Sequence, residues 1–462
     1  MYQIKLNGTK DKYEYEELTK VFLQPGEFTL ISDAEAEQGA EGDIDYSATR
    51  IFIDTNEYKT KNLAKRHLYE ELAAATGKRP DWGILTGVRP VKLAGELVTK
   101  HGEAEAKSLL LDEYMLSPEK AELILETYKY QQAHTGKPPD RSAGVYIGIP
   151  FCPTRCLYCS FTSNQKGPEE IARYLKALYR EIAFVGRQML EMGYDAESMY
   201  MGGGTPTTLT AEEMDALLTH IEQNFDLSKL REFTVEAGRP DTITEEKLSV
   251  LLRHEIGRIS INPQSMKAKT LEIIGRAHTP EETRNAMKLA RKMKIPIINM
   301  DVIAGLPEET PEDFRATLAE LIDYGPANIT VHTLAVKRAS RLIEQDPDYH
   351  YKRAEVVREM LSGANDMLRG AGYVPYYLYR QKHMAGSFEN IGWCKPGTES
   401  VYNIRIMEEA QTIAAIGAGG ISKNYFPAEN RLERVPNVSN YEIYIDRLDE
   451  MIERKKLNLF EY

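Results

Sequence analysis

The sequence predicts an α/β protein: a curved, partial barrel of about six βα units, with a small α+β domain before it and a mixed, helical domain after it. Three observations carry this. Between residues 145 and 335 six short apolar runs, "VYIGIPF", "SMYMGGG", "EFTVEAG", "RISINPQ", "INMDVIAGL" and "NITVHTL", alternate with amphipathic stretches of helical length. The linker "HTGKPPDRSAG" at 134–144 sets that pattern off from what precedes it. The units also follow one another in near-regular succession, which favours a partial barrel over a doubly wound sheet.

Ahead of the linker, residues 1 to about 60 alternate "YQIKL", "EFTLI" and "ATRIFID" with polar turns and read as β-rich. "KNLAKRHLYEELAAATG" has helical spacing and ends on glycine, and 92–101, 103–111 and 117–133 are helical too, so the first domain is expected over 1–140. The barrel takes 145–335. The remainder, 336–462, holds helices around 350–371, a mixed region to about 427 and a charged helix near 438–456, and is expected to cover a substrate.

The chain has 462 residues, of which 42% are hydrophobic, enough for ordinary packed cores. Its start, "MYQIKLNGTKDKYEYE", has neither the basic nor the apolar region of a secretory signal, and no apolar run reaches membrane-spanning length. A cytoplasmic protein with no membrane span is expected. A net charge of -12, from 58 basic and 70 acidic side chains, argues against nucleic acid as a partner. An anionic ligand would need a locally basic pocket.

Functional groups in such folds gather at the carboxyl ends of the strands. After the first strand, "GIPFCPTRCLYCSF" places Cys152, Cys156 and Cys159, three of the chain's four cysteines, at C-x3-C-x2-C spacing. In a reducing compartment this reads as metal or redox chemistry. Zinc closed by His332 or His278 is one reading. An iron–sulfur cubane with three protein ligands fits better and leaves its fourth iron open. The second strand ends in Gly202, Gly203, Gly204, Thr205 and Pro206, with no Gly-Lys-Ser/Thr to make a nucleotide loop. Glycines there allow close backbone approach, with N–H and C=O groups for a small zwitterion; a plain strand-to-helix turn is the alternative. The later strands deliver Glu236, Asn262, Gln264, Asp301 and His332. One such acid alone would as readily be a helix cap; a series on successive strands is harder to dismiss.

"FCPTRCLYC" followed by "GGGTP" one βα unit later resembles the radical S-adenosylmethionine (SAM) superfamily. The resemblance implies a partial (β/α)6 TIM-like radical-SAM barrel and a 4Fe-4S cluster on Cys152, Cys156 and Cys159. It also implies S-adenosyl-L-methionine, one or two molecules, bound at the open iron and cleaved to a 5′-deoxyadenosyl radical. "YIGIPFC", "GGGTPTTL", "TVEAGRPD", "INPQSM", "IGRAHTPEE" and "MDVIAGLPEETPEDF" further resemble, in order and spacing, the oxygen-independent coproporphyrinogen III oxidases, or coproporphyrinogen dehydrogenases. A HemZ-type branch shares "TGVRPVKL" and "YNIRIMEEAQTIAAIGAG".

By that resemblance Tyr146 lies near the cofactor's methionyl end and joins the three cysteines as the catalytic set. Gly203, Gly204 and Thr205 hold the amino and carboxylate groups, and Glu236, Gln264, Arg276 and Asp301 fall on cofactor-contacting positions. The implied reaction, in haem biosynthesis, is oxidative decarboxylation of two propionates of coproporphyrinogen III to vinyl groups, giving protoporphyrinogen IX. It needs a tetrapyrrole substrate and an electron donor and acceptor, both unidentified.

Cations for the propionates are expected at Lys337, Arg338 and Arg341 in "VKRASRL", and at Arg380, Lys382 and His383 in "YLYRQKH"; a solvated helix face is the alternative for each group. Tyr373, Tyr376, Tyr377 and Tyr379 suit a macrocycle site or, more readily, a core. Cys394 reads as a lone structural thiol. Two positions depart from the family. Phe161 stands where oxidases often carry a further cysteine, as in related haem chaperones, and "YNIRIM" at Tyr402 replaces the chaperones' His-Asn-x-x-Tyr-Trp. A haem chaperone and a radical-SAM haem methyltransferase are therefore the alternative functions.

Overall fold

The computed structural model describes residues 1–9, 11–33, 49–161, 163–335, 342–346, 349, 353–381 and 388–460. They form two units, Met1–Lys129 with Leu378–Phe388, and Tyr130–Tyr377 with Glu389–Tyr462.

In the first unit, strands β1 (Tyr2–Asn7), β2 (Phe28–Ser32) and β3 (Thr49–Asp54) make a parallel sheet in the order β2-β1-β3. Parallel neighbours need a crossover, and the helix Tyr13–Phe22 supplies one between β1 and β2. That stretch, "YEYEELTKVF", was expected to be β-rich from its aromatic and β-branched residues. Its burial of Tyr15, Leu18 and Phe22 at helical spacing overrides that propensity. The helix Lys61–Thr76 begins where the Thr60 side chain accepts from the Leu63 amide and ends at Gly77, whose φ of 70° is left-handed. Helices Pro90–His101, Glu103–Asp112 and Pro118–His134 follow. The unit ends at Lys129, short of the expected linker. The reason is local: Tyr130 and Gln131, in that last helix, already bond to Glu399 and to the Tyr376 carbonyl in the second unit.

In the second unit, β4 (Ser142–Ile149), β5 (Asp195–Gly203), β6 (Glu232–Glu236), β7 (Arg258–Ser260), β8 (Ile297–Ala304) and β9 (Asn328–Thr333) lie side by side in chain order, all parallel. Strand order never reverses among them, so the sheet winds in one direction, as a barrel does. β10 (Val374–Arg380), of which Val374–Tyr377 belong to this unit, β11 (Glu389–Cys394), β12 (Thr412–Ile416), β13 (Ile421–Phe426) and β14 (Arg431–Pro436) extend the same sheet. β11 runs antiparallel beside β9 and β12 parallel beside β4. Residues after 388 thus extend the barrel sheet at both edges rather than forming a layer of their own. The expected C-terminal helix is two, Tyr441–Asp446 and Leu448–Lys455, separated at Arg447.

The βα loops use one device repeatedly. Thr210, Thr279 and Thr310 each close a capping box, with Glu213, Glu282 and Asp313, and Thr244 caps the helix Glu245–Arg253. Fixing where each helix starts fixes where each strand-end loop lies.

The strands are two-faced. Val145, Ile147, Met199, Met201, Val235, Ile259, Met300, Val302, Ile329 and Val331 form one buried apolar set. The alternate residues are polar and pair in register: Tyr146 with Tyr200, Gly148 with Gly202, Glu236 with Ser260, Asp301 with Thr330. Hydrogen bonds knit this second face: Thr330 donates to Asn299, whose amide donates to Ser260 and to Asp301. The site lies on it. Among the described residues no helix is long and apolar enough to cross a membrane.

Candidate functional site

The cysteine loop is shaped by its backbone. The Cys152 amide donates to Asn164 O at 3.0 Å, the Asn164 amide to Pro150 O at 2.9 Å, the Cys159 amide to Cys156 O at 3.2 Å and the Leu157 amide to Ile274 O at 2.8 Å. Buried Arg239 forks onto Asp241 and donates to Thr154 Oγ1 at 2.8 Å, tying the loop to the segment after β6. Cys156 is buried and the other two thiols half-buried. Burial pushes Cys152 up to about 11, against the Thr205 hydroxyl that donates to its sulfur at 3.4 Å; burial raises Cys159 as well. Among the described residues no three His, Cys, Asp or Glu side chains close around a single-ion site. Three thiols spread along one loop fit a cluster that offers each its own iron. Ligation would take the proton from each.

The glycine turn has a reason at every position. A Cβ on Gly202 would lie 2.9 Å from both the Glu236 carboxyl carbon and the Tyr200 ring; Gly203 has φ +103°; a Cβ on Gly204 would lie 2.5 Å from Phe151 O. Its amides are already engaged. Gly203 N–H faces the Glu236 carboxylate, Gly204 N–H donates to Ile149 O at 2.8 Å and Thr205 N–H to Phe151 O at 2.7 Å. The expectation that these N–H groups would serve a zwitterion is corrected: the turn's carbonyls are what it can offer, and they suit an ammonium rather than a carboxylate.

Glu236 and Asp301 share the polar face with opposite tendencies. Burial pushes Glu236 up to about 7, opposed by the Tyr200 hydroxyl that donates to its Oε1 at 2.5 Å; Asp301 pushes it further up and His332 pulls it down. Burial acts on Asp301 in the same sense, but His332, Asn299 and Thr330 together hold it below the usual carboxylate range. The His332 ring nitrogen lies 3.6 Å from Asp301 Oδ2. Gln264 has a left-handed φ of 64°, and its backbone bonds to Asp301 O and the Ile303 amide fix it beside β8. Gln264 Oε1, Asn262 Oδ1 and Arg276 Nε are buried without hydrogen-bond partners. Arg276, expected to meet a carboxylate, directs its two terminal nitrogens at the carbonyls of Gly238 and Asn262 and also lies against Tyr158 and Cys156. His278 stays neutral, since burial, Arg276 and Arg239 push it down to about 3.

Tyr146 is half-buried and stacks on Tyr200, which stacks on Tyr402 from the helix Val401–Glu408. Tyr200 and Arg239 were not singled out in the sequence, and Tyr402 was marked only as the start of a motif that departs from the chaperones'. The signal for Tyr200 was there: period-two alternation puts it on the face of Gly202. Nothing local placed Tyr402 beside Tyr200, which lies far earlier in the chain.

Of the expected substrate cations, Lys337, Arg338 and Arg341, with Lys382 and His383, lie outside the described residues. Arg380 belongs to the first unit, where its buried guanidinium donates to the Leu85 and Gly87 carbonyls and stacks 4.8 Å over Trp82. The solvated helix face, the alternative weighed for this group, is not what the structure gives Arg380. Tyr373, Tyr376 and Tyr377 are core residues. Cys394 is fully buried, 3.6 Å from the Tyr130 hydroxyl. Phe161 is 66% exposed at the end of the cysteine loop.

Comparison with known proteins follows these features. Residues 146–321 match the model of the Radical SAM superfamily. Over 406 residues the chain is 42% identical to the "oxygen-independent coproporphyrinogen-III oxidase-like protein HemZ" of Bacillus subtilis, covering 86% of this chain and 80% of that one. It is 27% identical over 288 residues to the heme chaperone HemW of Escherichia coli, 61% of this chain and 70% of that one. Among solved structures, coproporphyrinogen III oxidase (HemN) from Escherichia coli, a radical SAM enzyme, aligns with a TM-score of 0.54 at 22% identity, over 71% of this chain and 73% of that one. That likeness is one of fold.

Proposed function

Since the chain belongs to the radical SAM superfamily, in the family of the HemZ coproporphyrinogen-III oxidase-like proteins, we propose that it oxidatively decarboxylates two propionates of coproporphyrinogen III to vinyl groups, giving protoporphyrinogen IX. The observation that carries this reading is the three-thiol loop set over a polar barrel face whose buried oxygens and nitrogens are left without partners.

Cys152, Cys156 and Cys159 would each ligate one iron of a 4Fe-4S cluster. When bound, the cluster and S-adenosylmethionine would supply a carbon radical able to take a propionate β-hydrogen; for each vinyl group formed, carbon dioxide leaves and one further electron passes to a one-electron acceptor. The chain's own part is positioning. The carbonyls of the Gly203–Gly204 turn receive the cofactor's ammonium, while Arg276 Nε, the buried donor left over, faces its carboxylate. Glu236, Asp301 and Gln264 Oε1 accept from its ribose or ammonium donors. Tyr146 flanks the methionyl end, and Thr205 holds Cys152 in place. Burial of this face keeps water from a reactive carbon centre. The substrate assignment rests on the 42% identity to HemZ.

The test is anaerobic incubation of reconstituted protein with reductant, S-adenosylmethionine and coproporphyrinogen III. Protoporphyrin, read by fluorescence after oxidation, is the expected product. A second reading, a haem-binding chaperone, is favoured by exposed Phe161 in the position of a cysteine and by the likeness to HemW. Stable haem binding without any vinyl product would select it and sink the first.

A further inference from the structure

Three tyrosine rings descend the polar face of the barrel, and Tyr200 is the middle one. Its centroid lies 6.4 Å from that of Tyr146 and 4.8 Å from that of Tyr402, with interplanar angles of 15° and 23°. Stacked on two neighbouring rings and with one edge against Gly202, the ring has little rotational freedom, so its hydroxyl is aimed rather than merely available. The aim is at Glu236 Oε1, 2.5 Å away. On its other side the same carboxyl packs against Gly202, where a Cβ would come within 3.0 Å of Oε2. Glu236 is thus held from two directions, by a hydroxyl that fixes one oxygen and by a glycine that makes room for the other.

We propose that Tyr200 is a positioning residue for Glu236: stacked on Tyr146 and Tyr402, it orients the Glu236 carboxyl toward the cofactor site and links that orientation to the helix Val401–Glu408. The proposal rests on the reading of Glu236 as a cofactor contact. Among the described residues this carboxyl is faced by the Tyr200 hydroxyl, the Gly203 amide, Asp301, His332, and the rings of Tyr146 and Tyr402. The Tyr200 hydrogen bond favours the ionised form, and S-adenosylmethionine is a cation. Removing the hydroxyl should therefore shift the carboxyl's titration upward and weaken cofactor binding near neutrality.

The experiment uses cluster-reconstituted protein without porphyrinogen, so it does not depend on which tetrapyrrole is the substrate. Dissociation constants for S-adenosylmethionine are measured by calorimetry from pH 6 to 9 for wild type, Y200F and E236Q. In parallel, the protonated-carboxyl infrared band of the cluster-free chain is titrated, with E236Q assigning it. In wild type, affinity should improve as pH rises through about 7. Y200F, which keeps the stacked ring, should move both the binding midpoint and the infrared midpoint up by about one pH unit, and weaken binding about fivefold at pH 7. A Y200F protein with wild-type affinity and both midpoints unmoved overturns the positioning role, even if E236Q binds poorly. An E236Q protein that binds as wild type overturns the cofactor-contact reading, and the proposal with it.

Discussion

Glu197 and Glu236 sit on neighbouring strands, on opposite ends of the barrel. Glu197, near the amino end of β5, has two donors on each oxygen: Arg231 and Arg405, both at 3.0 Å, on Oε1, and Arg405 at 3.0 Å with Gln411 at 2.6 Å on Oε2. Glu232, at the start of β6, is similarly enclosed by Thr234, Ser400, the Val401 amide and Arg258. Glu236, at the carboxyl end of β6, has a tyrosine hydroxyl, an amide, and a second acid for a neighbour. Burial raises both Glu197 and Glu236, but Arg405, Gln411 and Arg231 more than offset it for Glu197 and hold it low, whereas Glu236 rises to about 7. What differs is how each carboxylate is held. At the amino end guanidinium and amide donors meet both oxygens of Glu197 and Glu232, and the result is a lock, although Gln411 Oε1 and Arg258 Nε there stay without partners. At the carboxyl end Glu236 meets no guanidinium among the contacts described above, and Gln264 Oε1, Asn262 Oδ1 and Arg276 Nε are buried without partners.

The sharpest way to break this division is to cut each end separately. Replacing Cys152, Cys156 or Cys159 with Ala should abolish turnover and bring iron and sulfide content near background, while the melting temperature of the cluster-free chain hardly moves. Replacing Arg405 with Ala should do the reverse. It leaves buried Glu197 with only Arg231 and Gln411 and removes the donor from the Thr135 and Gly136 carbonyls, a loss of up to about 3–5 kcal/mol in urea denaturation. A C156A chain that, without cluster, is destabilised as much as R405A would show that the two ends are not separate.

The same division explains what could be read from sequence. The carboxyl end was legible because its groups stand in short motifs immediately after strands: the cysteines at fixed spacing, three glycines, and a polar residue at the end of each later strand. The strand and helix succession was legible because short apolar runs alternate with amphipathic stretches of helical length. The amino-end lock was not, since Glu197 meets Arg405 across 208 residues and Ser400 meets Glu232 across 168. Neither pair has a local pattern. The helix Tyr13–Phe22 was missed for a different reason: its aromatic residues favour strand until the parallel pairing of β1 with β2 demands a crossover. The engaged amides of Gly203, Gly204 and Thr205 could not be foreseen either, because a motif shows which residues are present and not which hydrogen bonds they have already made.

A pH comparison of E197Q and E236Q sharpens the contrast with a smaller effect. Glu197 is lowered in the folded chain, so its contribution is present above the unfolded carboxyl value of 4.5 and is lost as pH falls through the folded one. E197Q should therefore be less stable than wild type at neutral pH and converge with it in acid. Glu236 is raised from 4.5 to about 7, so its ionisation opposes folding, progressively from 4.5 and fully above 7. E236Q should be more stable than wild type at pH 8 by about 1–3 kcal/mol and equal to it near pH 4. Denaturation curves at pH 4, 6 and 8 read both signs, and a destabilised E236Q at pH 8 would contradict the account of Glu236.

The smallest effect tests whether the lock is felt at the cofactor end. Ser400 has two bonds: its oxygen accepts from the Asn403 amide at 3.3 Å, capping the helix Val401–Glu408, and its hydroxyl donates to Glu232 Oε1 at 2.7 Å. In S400A the helix loses its cap, but Glu232 keeps Thr234 at 3.0 Å on the same oxygen and the Val401 amide at 2.9 Å on the other. The cost should be about 1–2 kcal/mol. Tyr402 lies in the first turn of the same helix and stacks on Tyr200. The ring is held by its own burial and by the remaining bonds of the helix, so S-adenosylmethionine affinity should change less than about twofold, under 0.5 kcal/mol. A tenfold weakening with little loss of stability would mean that the amino-end lock sets the position of the tyrosine stack, and that the two ends of the barrel work as one device.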